Sequence, residues 1–405
     1  MSNAAGRAGS RAGAGELLAL VRSGRATTRG ALQQVTGLSR ATVGHRLDRL
    51  FRAGWLREGP ADPGASPLGG RPSVRLEFDD SHGVVLAADL ETRHARAAVL
   101  SLGGELLAEH TGPLGIADGP GPVLDTLGRW FAALLVQARR PAEAVCGIGL
   151  AVPGPVDHAT GRVVQPPIMP GWDGLPLPEL LGDAFRRHCG AAPPPVLVDN
   201  DANLMAYGEQ RHAHRDCSAF ALVKVSTGIG AGVVVDGGVF RGVDGGAGDI
   251  GHIRVPAGED ARCTCGAHGC LAALASGRAL AARLTEAGVP AASGSDVREL
   301  LAAGHPEASR LAREAGRHVG EVLATVVTLL NPGVLMIAGD LAGTAFLTGV
   351  RELLYQRALP RSTAGLEVVT SRLGERAAVL GAGALVVEHV FAPDRVEERL
   401  AALAL

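Results

Sequence analysis

Cys263, Cys265 and Cys270 form a C-x-C-x4-C run, whereas Cys146, Cys189 and Cys217 are scattered along the chain. Glycines 266 and 269 separate the clustered thiols, and glycine admits the tight reversals that turn three sulfurs onto one ion. Three thiolates and one imidazole make a closed, tetrahedral zinc site of the structural kind. Two histidines compete for the fourth place: His252, upstream, and His268, inside the same short loop. Spacing alone does not choose between them. The rival reading is a disulfide or a set of buried thiols. The clustering, and the lack of a secretion signal, favour zinc.

These residues sit in a chain of 405 residues, enough for two or three domains. It is 46% hydrophobic and 20% charged, a globular composition. No apolar run of membrane-spanning length is free of glycine, proline or charge. Residues 1–14 are rich in Gly, Ala and Arg, lack the apolar core of a signal peptide and read as a disordered tail. A cytoplasmic protein without a membrane partner is the expectation. The net charge of -2 is unevenly spread: residues 1–75 hold 12 arginines against 4 carboxylates, and the remainder carries a net negative charge. A basic first segment on an acidic body suits a polyanion partner for that segment alone. Lys224 is the single lysine, and the arginine excess reads as coding composition.

The basic segment has the pattern of a winged helix-turn-helix over residues 15–80. Leu17, Leu18, Leu20 and Val21 mark a first helix. Thr28 can cap a second that carries Ala31, Leu32 and Val35, and after Gly37 Ser39 can cap a third, which runs to about Arg52. Val43, Leu47 and Leu50 form the third helix's core stripe. That leaves Arg40, Thr42, His45 and Arg46, with Ser39 at the helix start, as candidates to meet DNA in the major groove. For each arginine a phosphate contact without sequence information is an equal reading. Two short strands follow, at 55–57 and 73–78. Between them Gly69-Gly70-Arg71-Pro72 could place Arg71 in a narrow minor groove.

The body reads as strands at 84–89, 96–100 and 105–109, a helix at 123–138, and buried strands at 145–152 and 196–199. A second strand pair at 219–226 and 231–235 repeats the opening theme. A long helix at 311–330, a strand at 334–338 and a late helix at 377–390 follow. Given twice, this order suggests two α/β lobes around a cleft.

Gly251-His252 with the Cys-x-Cys-Gly-x-x-Gly-Cys-Leu run, the stretch Val225-Ser226-Thr227-Gly228-Ile229-Gly230-Ala231-Gly232, the glycines 242 and 248, and Asn200-Asp201-Ala202-Asn203 together resemble the ROK family of repressors, open reading frames and sugar kinases. The resemblance covers about residues 80–405. It implies the duplicated actin/hexokinase-like (ribonuclease H-like) fold and favours His252 as the zinc ligand. It also implies that Asn200 and Asp201 hydrogen-bond sugar hydroxyls, with Asp201 as general base if the chain were a kinase. Asp249, where the family has glutamate, and His252 would join them, and Gly161 matches a loop that closes on the ligand.

Three departures bear on activity. Asp89-Leu90-Glu91-Thr92-Arg93 keeps the aspartate of the kinase Asp-x-Gly-Gly-Thr loop but neither glycine. A carboxylate such as Glu91 about 4 Å from a phosphate charge costs on the order of 4 kcal/mol at an effective dielectric near 20. Ala272 replaces a glutamate on the sugar side, and Asp340 stands where glycine is commoner. ATP and magnesium use is therefore not expected.

The reading is α/β: a winged helix-turn-helix, a first lobe (81–202, with 377–405) and a second lobe (203–376) with the zinc motif. The function expected is a sugar-responsive repressor that binds operator DNA as a homodimer or homotetramer. The alternatives are an ATP-dependent sugar kinase with an added DNA-binding domain, and a DNA-binding dimer that takes no ligand.

Overall fold

The computed structural model describes residues 12–61 and 74–403. Arg71 and its Gly-Arg-Pro stretch lie outside the described residues, as does the tail up to residue 11. Helices α1 (Ala14–Arg22), α2 (Arg29–Thr36) and α3 (Arg40–Arg52) come first. Thr28 caps α2 by accepting the Ala31 N–H at 3.1 Å, and Ser39 caps α3 by accepting the Thr42 N–H at 3.1 Å. Each cap contributes about 1 kcal/mol by satisfying an orphan donor of the first turn. Gly37, left-handed at φ 70°, ends α2 and reverses the chain into α3. Leu17, Leu18, Leu32, Val43, Leu47 and Leu50 bury their side chains together. Val35, read with the apolar residues of the second helix, is 51% exposed. Strands β1 (Leu56–Ala61) and β2 (Val74–Phe78) then pair antiparallel, with Leu56 opposite Phe78.

Two five-stranded sheets of matching topology follow. The first contains β3 (Val84–Leu90), β4 (His94–Ser101), β5 (Leu106–Pro113), β6 (Val145–Val152) and, after the small hairpin β7 (Val156–Asp157) and β8 (Arg162–Val163), β9 (Val196–Asn200). Its order is β5-β4-β3-β6-β9: an antiparallel meander, then two strands parallel to β3. Helices α4 (Pro120–Gln137) and α5 (Leu177–Cys189) pack on each other. After α6 (Asp201–Ala213), the second sheet repeats the pattern with β10 (Ala219–Val225), β11 (Ile229–Val235), β12 (Gly238–Val239), β13 (Val334–Ala338) and β14 (Glu367–Thr370), in the order β12-β11-β10-β13-β14. The intervening helices are α7 (Leu271–Ala275), α8 (Gly277–Glu286), α9 (Gly294–Ala302), the long α10 (Pro306–Leu330), α11 (Thr344–Arg357) and the single turn α12 (Pro360–Thr363). Strands β3 and β13 are buried throughout, as strands covered on both faces are, and Asp89 is the one charged residue in them.

The stretch 377–405, read from the sequence as a helix of the first lobe, contains two helices with different partners. The first, α13 (Ala377–Val390), packs on α6, β3 and β6. The chain then breaks, and α14 (Pro393–Ala402) packs on α1. Pro393 opens α14 in the first turn, where its missing N–H costs nothing. The α6–α13 contact is backbone to backbone: a Cβ at Gly381 would lie 1.8 Å from the Leu204 carbonyl oxygen. One core cluster runs without a break from the helix-turn-helix through Phe391, Val396 and Leu400 to the α6–α13 interface. Among the described residues no single helix is long and apolar enough to cross a membrane.

Candidate functional site

The metal motif closes on itself. His252, Cys263, Cys265 and Cys270 each bring a ligand atom within 4.8 Å of the others. Cys265 Sγ and Cys270 Sγ are 3.7 Å apart, and Cys263 Sγ lies 3.8 Å from His252 Nδ1. A tetrahedron with metal–sulfur arms of about 2.3 Å has edges of about 3.8 Å, so the donor set fits a four-coordinate ion. Burial and the neighbouring sulfurs push the Cys270 thiol up to about 12. Such crowded thiols ionise together only around a cation. His268 is not in the group. It pairs through its backbone with Arg262, on the far side of the cysteine turn.

His252 also faces the cleft between the lobes. Asn200, Asp201, Asp249 and His252 all line that cleft, together with Asn203, Ala272 and the 226–230 turn. The Asp249–His252 loop lies close against β11: a Cβ at Gly248 (φ 110°) would meet the Ala231 carbonyl oxygen at 2.0 Å. Asn200, not Asp201, caps α6. Its Oδ1 accepts the Ala202 N–H at 2.9 Å, while its amide donates to the Gly154 carbonyl at 3.0 Å. Asp201 is the first residue of the helix, with its carboxylate turned towards the second lobe. Buried Asn203 donates to Asp199 at 3.0 Å, and its own carbonyl oxygen has no partner. Burial raises the pKa of Asp249.

At the other end of the cleft the two lobes touch. The hydroxyls of Thr92 and Thr227 are 3.2 Å apart, joining the loop after β3 to the turn after β10. Lys224, on β10, donates to Asp201 Oδ2 at 2.6 Å and lies 4.0 Å from Glu91 Oε1. Burial alone would lower the lysine pKa, but the carboxyls of Asp201, Glu91 and Asp89 hold it above its usual value. Asp89 is raised well above the carboxylate range, first by burial. Asp340 is raised by burial and by Glu91, and it takes an ion pair from Arg298 at 3.7 Å.

Gly161 is not among the residues that line the cleft. It turns the β7–β8 hairpin at φ 65° against Pro178, and the neighbouring stretches Pro153–Pro155 and Pro167–Ile168 face the cleft instead. On the helix-turn-helix, Ser39, Arg40 and His45 are exposed, and Thr42 and Arg46 are half-buried. The sequence assigned no place in the site to Lys224 or, individually, to Thr227. A lone lysine two residues before a glycine turn, in a chain that otherwise uses arginine, was the available signal.

Comparison with known proteins gives this geometry its relatives. The putative xylose repressor of Caldicellulosiruptor sp. (strain Rt8B.4) is 30% identical over 389 residues, covering 92% of this chain and 94% of its own. A glucokinase of Halalkalibacterium halodurans is also 30% identical, but it covers 73% of this chain and 92% of its own, leaving the rest of this chain unmatched. The crystal structure of a ROK family transcriptional regulator, a homologue of the E. coli MLC protein, superposes with a TM-score of 0.76 at 27% identity, covering 96% of this chain and 98% of its own. The ROK family profile matches residues 85–389, from β3 to α13, and the chain belongs to the ROK family.

Proposed function

We propose that the protein is a sugar-responsive transcriptional repressor. The winged helix-turn-helix binds operator DNA, and the cleft binds a sugar or sugar derivative. The observation that carries this reading is a continuous mechanical path. Asn200 and Asp201 stand at the N-terminus of α6, α6 is locked to α13 at backbone contact, and α14 holds α1. Glu397 of α14 accepts the Gly15 N–H at 3.0 Å and pairs with Arg49 of α3 at 3.1 Å. A ligand that changes the approach of the lobes around Asp201 therefore also biases the orientation of α3. Zinc, held by His252, Cys263, Cys265 and Cys270, fixes the ring of His252 in the cleft wall; its role is structural. Ser39, Arg40, Thr42, His45 and Arg46 face the DNA, and a homodimer or homotetramer presents paired helices to a palindromic site.

The test is fluorescence anisotropy on a DNA site selected from random sequence, with a panel of pentoses, hexoses and amino sugars. One sugar is expected to change operator affinity about tenfold in the wild type, a coupling of about 1.4 kcal/mol, and to leave Asp201→Asn unaffected. If no sugar changes either DNA affinity or melting temperature, the protein is instead a ligand-independent DNA-binding dimer. The kinase reading draws on Asp201 and the intact 226–230 turn, and predicts ADP formation with ATP, magnesium and a sugar. Two observations stand against it: the Thr92–Thr227 contact across the phosphate position, and the engagement of Asp201 by Lys224.

A further inference from the structure

We propose that Arg241 is a positioning residue for the ligand corner of the cleft: its ion pair with Asp199 clips the loop that carries Asp249 and His252 to the turn that carries Asn200 and Asp201. The inference rests on the cleft as the ligand site. Arg241 follows β12 of the second sheet, and Asp199 is the next-to-last residue of β9 in the first. The Arg241 Nε donates to Asp199 Oδ2 at 2.8 Å, and Nη2 lies 2.7 Å from the same oxygen. Asp199 is 2% exposed, so water hardly competes for the pair.

The two oxygens of Asp199 serve the two sides. Oδ1 accepts the Asn200 N–H at 2.8 Å and the Asn203 amide at 3.0 Å, and so holds the start of α6, while Oδ2 takes the guanidinium. On the other side, the Ala247 N–H donates to the Arg241 carbonyl at 3.1 Å, which closes the loop at its base, and the Gly248 carbonyl accepts the Ala231 N–H at 2.8 Å. Gly245 (φ 88°) lies so close to β7 that a Cβ there would meet the Val156 carbonyl oxygen at 2.4 Å. Glycines occupy positions 242, 245, 246 and 248, so the loop has little stiffness of its own and takes its place from its anchors. A ligand held by Asn200 and Asp201 on one side and by Asp249 and His252 on the other needs the two sides at a fixed separation. The clip sets that separation before a ligand arrives, which lowers the ordering cost of binding.

Arg241→Met removes the charge and keeps much of the side-chain volume. The readout is hydrogen–deuterium exchange by mass spectrometry on the full-length protein without sugar. Amides of residues 242–249 are expected to exchange at least ~10-fold faster than in the wild type, and those of 200–203 to follow, while β3, β6 and α10 keep wild-type rates. Arg241→Lys keeps the charge but offers one nitrogen instead of two, and is expected to fall between the two. Unchanged exchange over 242–249 in a folded Arg241→Met protein would overturn the proposal. So would an equal rise across β3 and α10, the result of a merely structural role. If that variant does not fold, Asp199→Asn takes its place, with the same expected and overturning results. If neither folds, the wild type decides: exchange over 242–249 as fast as in unstructured chain overturns the proposal, and protection there sustains it. The experiment contains no sugar. Failure of every sugar in the panel would count against the repressor reading and leave the clip intact.

Discussion

Asp201 has two tasks, and they pull in different directions. It lines the cleft, where the proposed ligand would meet it as an acceptor, and it neutralises a buried lysine. Removing either partner of such a pair leaves a buried charge without compensation, which costs several kcal/mol. Burial raises the pKa of Asp89, beside them, well above the usual carboxylate range, so the fold favours its protonated form. The unfolded chain releases that proton above about pH 4. The folded state thus binds the extra proton, and wild-type stability falls as pH rises from the unfolded value towards the raised folded one. Asp89→Asn does not titrate. Its melting temperature relative to the wild type is expected to climb as pH rises above about 4, and a constant difference would mean that Lys224 keeps Asp89 ionised. At the other end of the cleft, Cys265→Ser removes one of four converging ligand atoms. Bound zinc, measured by elemental analysis, is expected to fall below one per chain, with a loss of about 3 kcal/mol or more in stability. Full stability of a wild type that contains no metal would end the zinc reading.

At the scale of elements, α6 is the spine. Residues 201–210 are all buried, and the helix carries Asn200 and Asp201 at one end. Further along, the Glu209 carboxylate accepts the N–H groups of Arg372 and Leu373, both at 2.9 Å, and so ties down the segment that leads into α13. Gly381 permits the close approach of α13. Gly381→Ala forces the two helices apart, since the new Cβ would meet backbone rather than a side chain that can turn away. A loss of at least ~2 kcal/mol in thermal or denaturant unfolding is expected. Gly121→Ala, on α4, is the control, because nothing lies within 4 Å of its Cβ. That change is expected to be neutral or to stabilise by up to about 1 kcal/mol. Equal costs at the two sites would remove the close contact as the explanation.

At the scale of the whole molecule, the helix-turn-helix is not a loose appendage. Trp55 and Phe78 stack edge to face on Phe391, and the Arg399 guanidinium lies 4.6 Å from the centroid of Trp55. This aromatic junction joins the turn between α3 and β1, and strand β2, to the end of α13, so a movement of the lobes would be carried to the helix-turn-helix. Glu397→Ala removes the acceptor for Gly15 and one partner of Arg49 while leaving the aromatic junction in place. A half-exposed ion pair of this kind contributes about 1 kcal/mol or less, so stability should change little. The ratio of operator affinities with and without sugar is expected to move towards one, because α3 then follows α14 less closely. An unchanged ratio would place the coupling elsewhere.

The amino-acid sequence by itself determined a good deal. Local rules govern caps, apolar periodicity and turn glycines, so Ser39, Val43, Leu47 and the α3 helix were legible, as were the five strands of the first sheet and β10, β11 and β13 of the second, whereas the short edge strands β12 and β14 were not. The C-x-C-x4-C run was legible because its ligands are neighbours in the chain, and only the choice between His252 and His268 needed three dimensions. What tertiary structure alone decided concerns residues far apart in sequence. Lys224 meets Asp201 and Glu91, Thr92 meets Thr227, and Glu397 meets Gly15, each across a fold that no spacing encodes. The same holds for α14, which takes the helix-turn-helix as its partner because the break after α13 redirects its apolar face. Short-range steric and hydrogen-bonding preferences act along the chain and can be read there. The Lys224 pairs in the cleft form only when the two lobes meet, and the Arg49–Glu397 pair only when the last helix folds back on the first three.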